Sequence, residues 1–169
     1  ESARRGEISW YPDNQTVDPA HLEGHDVVYH LAGENIAEGR WTDAKKARIR
    51  DSRVVGTTFL SETLAKLDSK PSVIVSASAI GFYGDRGDEI LREQSSPGDG
   101  YLAEVSQQWE EATKSAEEAG IRVVNVRIGI VLSKDGGALG KMLTPFRMGV
   151  GGNLGSGKQY MSWITLPDL

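Results

Sequence analysis

Three apolar runs, spaced by two helix-length stretches, set the limits on what this chain can build. Val27–Ala32 is continuously apolar, the mark of a strand covered on both faces. Ser72–Ser78 and Ile121–Val131 read as two further buried strands. Between the first and second, Trp41 to about Leu67 repeats apolar residues near a 3.6-residue period: Ala47, Val54, Val55, Phe59, Leu60, Leu64 and Leu67. Pro71 then resets the chain into strand. Between the second and third, Tyr101–Ala119 reads as a helix with Gly120 as its stop. Strand, helix, strand, helix, strand in this order implies parallel strands joined by right-handed crossovers. The fold class expected is α/β, a doubly wound parallel sheet in three layers.

The remaining segments are shorter. Glu7–Tyr11 and Gln159–Thr165 are strand candidates, and Ala138–Met148 is a helix candidate despite Pro145. Residues 85–100 and 149–157 read as loops. A chain of 169 residues fits one domain, and 20 glycines supply its turns. It has no initiator methionine, and it stops abruptly at Pro167-Asp168-Leu169, so it reads as part of a longer protein.

Composition removes whole classes of function. A net charge of −5 argues against a nucleic-acid or anionic-membrane surface, and no apolar run reaches transmembrane length. With no cysteine there is no disulfide, no thiolate nucleophile and no Cys-based zinc site. His21, His25 and His30 carry no carboxylate pattern, so no metal is expected. Gly152–Lys158 has the spacing of a phosphate-binding P-loop, but Gln159 stands where a magnesium-ligating Ser or Thr belongs. The loop also follows no buried strand.

In doubly wound sheets ligands sit beyond the carboxyl ends of the strands. His30-Leu-Ala-Gly33, Ser76-Ala-Ser78 and Arg127-Ile-Gly129 occupy those ends. Three further patterns join them: Asp26-Val-Val-Tyr-His-Leu-Ala-Gly33, Arg53-Val-Val-Gly-Thr57, and Ser78 followed 23 residues later by Tyr101. Together with Leu-Ala-Gly-Glu-Asn35, Gly-Gly-Ala-Leu-Gly-Lys-Met142, Pro-Phe-Arg-Met-Gly-Val-Gly-Gly152 and Gly155–Ile164, they resemble the atypical, epimerase-like branch of the extended short-chain dehydrogenases/reductases.

The resemblance implies a Rossmann-like NAD(P)-binding fold, with a partial cofactor domain over 1–135 and the start of a substrate-side segment over 136–169. It implies Ser78 and Tyr101 as catalytic residues. It places Leu31, Ala32, Gly33, Arg53, Ser76, Glu104, Arg127, Ile128 and Gly129 at the cofactor. NADP(H) is the expected cofactor, with NAD(H) as the other choice. Arg4 and Arg5 would fall near an adenosine 2′-phosphate, or form an exposed basic tail. A small-molecule substrate, a cytoplasmic location and a homodimer through helices 41–67 and 101–119 belong to the same expectation.

The chain departs from that pattern in three places. The glycine-rich turn after the first strand should precede residue 1. Val105 stands four residues after Tyr101, where the family carries lysine. An unassisted tyrosine titrates near ~10 and is a poor base at neutral pH. Met161 stands where nucleotide-sugar enzymes often carry an arginine, and a thioether cannot pair with phosphate. Two functions therefore remain open. One is an NADP(H)-dependent oxidoreductase or epimerase-like enzyme that moves hydride to or from a small carbonyl, alcohol or sugar. The other is a cofactor-binding sensor or interaction module with little turnover.

Overall fold

A computed structural model describes residues 7–169. Arg4 and Arg5 lie outside the described residues. The chain opens with a small hairpin, β1 (Trp10–Tyr11) against β2 (Thr16–Val17). Its turn is a 3₁₀ stretch, Pro12–Asn14, closed by Gln15 in the left-handed region at φ 49°.

The main sheet is β3 (Val27–His30), β4 (Val73–Ala79) and β5 (Arg122–Ile128), all parallel, in the order β3-β4-β5. The register sets His30 beside Ser76 and Ser78 beside Arg127. Helix α1 (Asp43–Ala65) makes the first crossover. Thr42 caps it, its hydroxyl accepting from the Lys45 amide at 3.2 Å, which satisfies one of the orphan donors of the first turn. The second crossover is α2 (Tyr101–Glu111) followed by α3 (Lys114–Glu118). The single helix expected over 101–119 is broken here, where Thr113 turns its hydroxyl onto the Glu110 carbonyl at 2.6 Å. Gly120, at φ 86°, ends α3: its amide bonds the Glu117 carbonyl, and the Ile121 amide reaches back to Ala116. This is the double closure that a left-handed glycine makes available.

Helices α1, α2 and α3 pack against one another on one face of the sheet. The core lies beneath them: Leu60, Leu64, Leu67, Ile74, Ala116 and Ile121, with Val28 and Val123 at its margin. Leu64 and Ile74 are fully sealed, so truncating either to alanine costs about 3 kcal/mol in lost contact and cavity. Strand β3 is not covered on both faces among the described residues. Its side chains alternate, with Tyr29 70% exposed and His30 buried, because the packed helices cover one face alone.

The run 121–131 also differs from expectation. Strand β5 stops at Ile128, and β6 (Ile130–Leu132) belongs to a separate two-stranded parallel sheet with β7 (Trp163–Thr165). Gly129 is the changeover. A Cβ there would lie 2.8 Å from the Ser162 carbonyl oxygen, which also receives the Ile130 amide at 2.9 Å. Helix α4 (Gly137–Arg147) lies against β6 and keeps Pro145 inside it. The candidate P-loop, 152–158, opens no helix; the next element is β7. No helix of the described residues is long and apolar enough to cross a membrane.

Candidate active site

The carboxyl end of β3 is organised by α1. Arg53 donates through Nη1 to the Glu34 and Ile49 carbonyls, each at 3.1 Å. Its guanidinium lies 5.0 Å from the Trp109 ring centroid, a cation–π arrangement. Gly33 faces it closely, since a Cβ on Gly33 would come within 3.3 Å of the Arg53 Cζ. Burial draws the Arg53 pKa below its usual range, yet the group stays cationic. No bond claims its Nη2 among the described residues.

Behind it runs a buried chain of hydrogen bonds. Trp109 Nε1 donates to Thr57 Oγ1 at 2.9 Å, and Thr57 Oγ1 meets His30 Nε2 at 2.9 Å. Thr57 can take the Trp109 proton on one lone pair and meet His30 with either its hydrogen or its second lone pair. Burial, which lowers the His30 pKa, favours the neutral form.

A second network closes the ends of β4 and β5. Ser78 is 3% exposed and donates to Glu110 Oε1 at 2.6 Å. Arg127 grips Glu110 with Nε on Oε1 and Nη2 on Oε2, both at 2.8 Å. Its Nη1 donates to the Tyr83 hydroxyl at 2.9 Å and to the Glu93 carbonyl at 3.0 Å. The guanidinium lies 3.5 Å from the Phe82 ring centroid. The bonds from Glu110, and then from Tyr83, raise the Arg127 pKa.

In front of these networks is a cleft of about 810 Å³. Trp41, Tyr83 and Tyr101 form one side, and Lys158, Tyr160 and Ser162 the other. Tyr101 is the first residue of α2, and its hydroxyl donates to the Lys46 carbonyl on α1 at 2.5 Å. Trp41 meets it edge-on at 5.9 Å. Burial raises the Tyr101 pKa, and the positive charge of Arg53 opposes the rise. Val105, in the lysine position of the motif, is 4% exposed and packs in the interior, so no cation approaches Tyr101 from there.

The residues expected at the site thus fall into groups. Gly33 and Arg53 come together, with Leu31 and Ala32 exposed just beyond β3. Ser76 is fully buried within the sheet, its hydroxyl 3.4 Å from the Ala77 carbonyl. Glu104 is exposed on α2. Ser78 and Arg127 join each other through Glu110 rather than lining the cleft. Ile128 and Gly129 mark the end of β5, and Met161 is half exposed. Sequence reasoning passed over Tyr83, Glu110, Trp109 and Thr57. The aromatic pair Phe82-Tyr83 between two glycines was the available signal for the first. Among the described residues no three His, Asp or Glu side chains gather to hold a metal.

Sheet, crossovers and end-on cleft define an α/β protein of the Rossmann-like kind. No family model matches the chain. Relatives do. An epimerase family protein of Mycobacterium bovis is 44% identical over 166 residues, covering 98% of this chain and 54% of the relative. The chloroplastic SDR39U1 homolog of Arabidopsis thaliana, also named an epimerase family protein, is 41% identical over 150 residues, 88% of this chain and 43% of the relative. Two solved structures superpose closely. The nucleoside-diphosphate sugar epimerase from Corynebacterium glutamicum has a TM-score of 0.83 at 42% identity, covering 99% of this chain and 34% of that one. The human epimerase family protein SDR39U1 (isoform 2), solved with NADPH, has a TM-score of 0.79 at 34% identity, covering 85% and 50%. The chain belongs to this epimerase family of short-chain dehydrogenase/reductase-like proteins. It spans about half the length of the curated relatives it matches.

Proposed function

We propose that this protein binds NADP(H) at the carboxyl ends of β3–β5 and moves hydride between the nicotinamide and a small carbonyl or alcohol in the cleft. The observation that carries the reading is Arg53. It is a half-buried cation fixed by two carbonyls and an indole face, with an uncommitted Nη2 beside the glycine-bearing end of a parallel strand. Such a group fits a phosphate oxygen. The human relative solved with NADPH supports the same cofactor. Leu31, Ala32 and Gly33 would meet it with backbone, within residues 1–135, and the substrate would lie toward 136–169. When bound, the nicotinamide supplies or accepts the hydride; this chain supplies position, charge and a proton.

The test is thermal unfolding against NADPH, NADH and a sugar nucleotide. A ligand at about 100 times its dissociation constant adds about 2.7 kcal/mol. Stabilisation by NADPH supports the reading, and no stabilisation by either nicotinamide sinks it.

A second reading is a cofactor-binding module with little turnover. Val105 favours it, because a buried valine stands where the motif carries its lysine, so the cations near Tyr101, Lys46 over its ring and Arg53, are not the one the motif supplies. NADPH binding with no reduction across a broad panel of carbonyls would select it.

A further inference from the structure

The hydroxyl protons around the cleft are unequally committed. Ser78 gives its proton to Glu110, and Tyr101 gives its proton to the Lys46 carbonyl. Tyr83 also lines the cleft, but its oxygen is an acceptor from Arg127 Nη1, and no acceptor claims its own hydrogen among the described residues. A phenol in this state can give its proton to something in the cleft without breaking a bond already made.

Lys46 lies over the Tyr101 ring at 5.7 Å, but the cation that donates directly into a phenolic oxygen stands at Tyr83. Arg127 is held in place by two hydrogen bonds to Glu110 and by the Phe82 face. A fixed guanidinium that donates into a phenolic oxygen stabilises the negative charge that develops there as the proton leaves. Tyr83 is itself clamped. The Gly98 amide bonds the Phe82 carbonyl at 2.9 Å, and a Cβ on Gly98 would fall 2.0 Å from the Tyr83 carbonyl oxygen. The loop after Gly84 therefore presses directly on the backbone that carries this ring.

We infer that Tyr83, backed by Arg127 and Glu110, is the proton-transferring group of the cleft, in place of the tyrosine–lysine pair that Tyr101 and Val105 fail to form. The inference rests on the proposed nicotinamide chemistry. In the reducing direction, the Tyr83 O–H bond breaks toward the substrate oxygen as the carbonyl carbon receives hydride from the reduced nicotinamide. The carbonyl becomes an alcohol, the nicotinamide is oxidised, and the phenolate, held by Arg127, regains a proton from water. Tyr83 is the catalytic residue here; Arg127 and Glu110 position it and balance its charge.

The experiment follows NADPH oxidation by phenanthrenequinone in the wild type, Tyr83→Phe, Tyr101→Phe and Arg127→Lys, with NADPH-induced thermal stabilisation measured on each. The expected result is unchanged stabilisation in Tyr83→Phe with kcat lowered on the order of 100-fold or more. That loss should exceed the Tyr101→Phe loss by about tenfold, and Arg127→Lys, which keeps a cation, should fall between wild type and Tyr83→Phe. Tyr83→Phe turning over within a few-fold of wild type would overturn the inference. So would a wild type that NADPH stabilises but that reduces no quinone, and in that case the cofactor reading stands. Absence of NADPH stabilisation removes the cofactor reading, and this inference with it.

Discussion

Arg127 and Glu110 meet through two hydrogen bonds of 2.8 Å, and Ser78 completes the carboxylate's coordination at 2.6 Å. Both partners are mostly buried, with side-chain exposures of 20% and 15%. Removing one partner of such a pair strands the other, so Glu110→Ala should cost about 3 kcal/mol. For a chain of this length that is a fall of about 5–10 °C in Tm, measurable by calorimetry. Replacing both Arg127 and Glu110 by apolar residues should cost less than the single change, because no charge is left alone.

Thr57 serves two buried donors and acceptors at once. Thr57→Val keeps the shape and removes the oxygen that Trp109 and His30 share. We expect a loss of about 2–3 kcal/mol in urea unfolding, whereas Thr57→Ser, which keeps the hydroxyl, should lose less than about 1 kcal/mol.

His30 gives the fold a pH dependence of definite sign. Burial lowers its pKa in the folded state below the ordinary 6.5, so the unfolded chain binds the proton more readily. The stability tied to neutral His30 is complete above that unfolded value and is lost as pH falls through the lower folded one. Unfolding free energies at pH 7.5 and 5.5 should therefore differ more in the wild type than in His30→Gln. An equal difference in both would show that other groups set the acid limb.

Gly98 has no room for a side chain. Gly98→Ala places a methyl against the Tyr83 carbonyl, and the nearest atoms, Tyr83 O and C and Gly84 N, are all backbone with nothing flexible to yield. A cost of about 3 kcal/mol is expected, at the upper end for overpacking. If proton transfer runs through Tyr83, kcat should fall beyond any loss of folded protein. Gly87→Ala, with nothing within 4 Å of its Cβ, tests backbone strain alone at its φ of 55°.

Much of the architecture is legible in the sequence. The helix span of α1, the run ending at Ser78 and the stop at Gly120 are local signals, and each appears where it was expected, although Val55, counted on the apolar face of α1, is exposed while Ile49 is buried. The break at Gly129 was not readable, because its cause is the Ser162 carbonyl far along the chain. The exposed face of β3 was hidden as well: an apolar run does not say how many faces the rest of the chain covers. At the site, the buried Val105 announced the missing lysine. Tyr83 and Glu110 were missed because what defines them is pairing with Arg127, 44 and 17 residues away in sequence. Composition and spacing carry no record of such a meeting.

The two walls of the cleft hang from different sheets. Tyr83 and Tyr101 stand on the crossovers of β3–β5, whereas Lys158, Tyr160 and Ser162 lead into β7, which pairs with β6 beyond Gly129. Under the proposed function, reactivity and selectivity would lie in separately heritable pieces: changes along 149–162 could redraw what the cleft admits while Tyr83, Arg127 and Glu110 stay where they are.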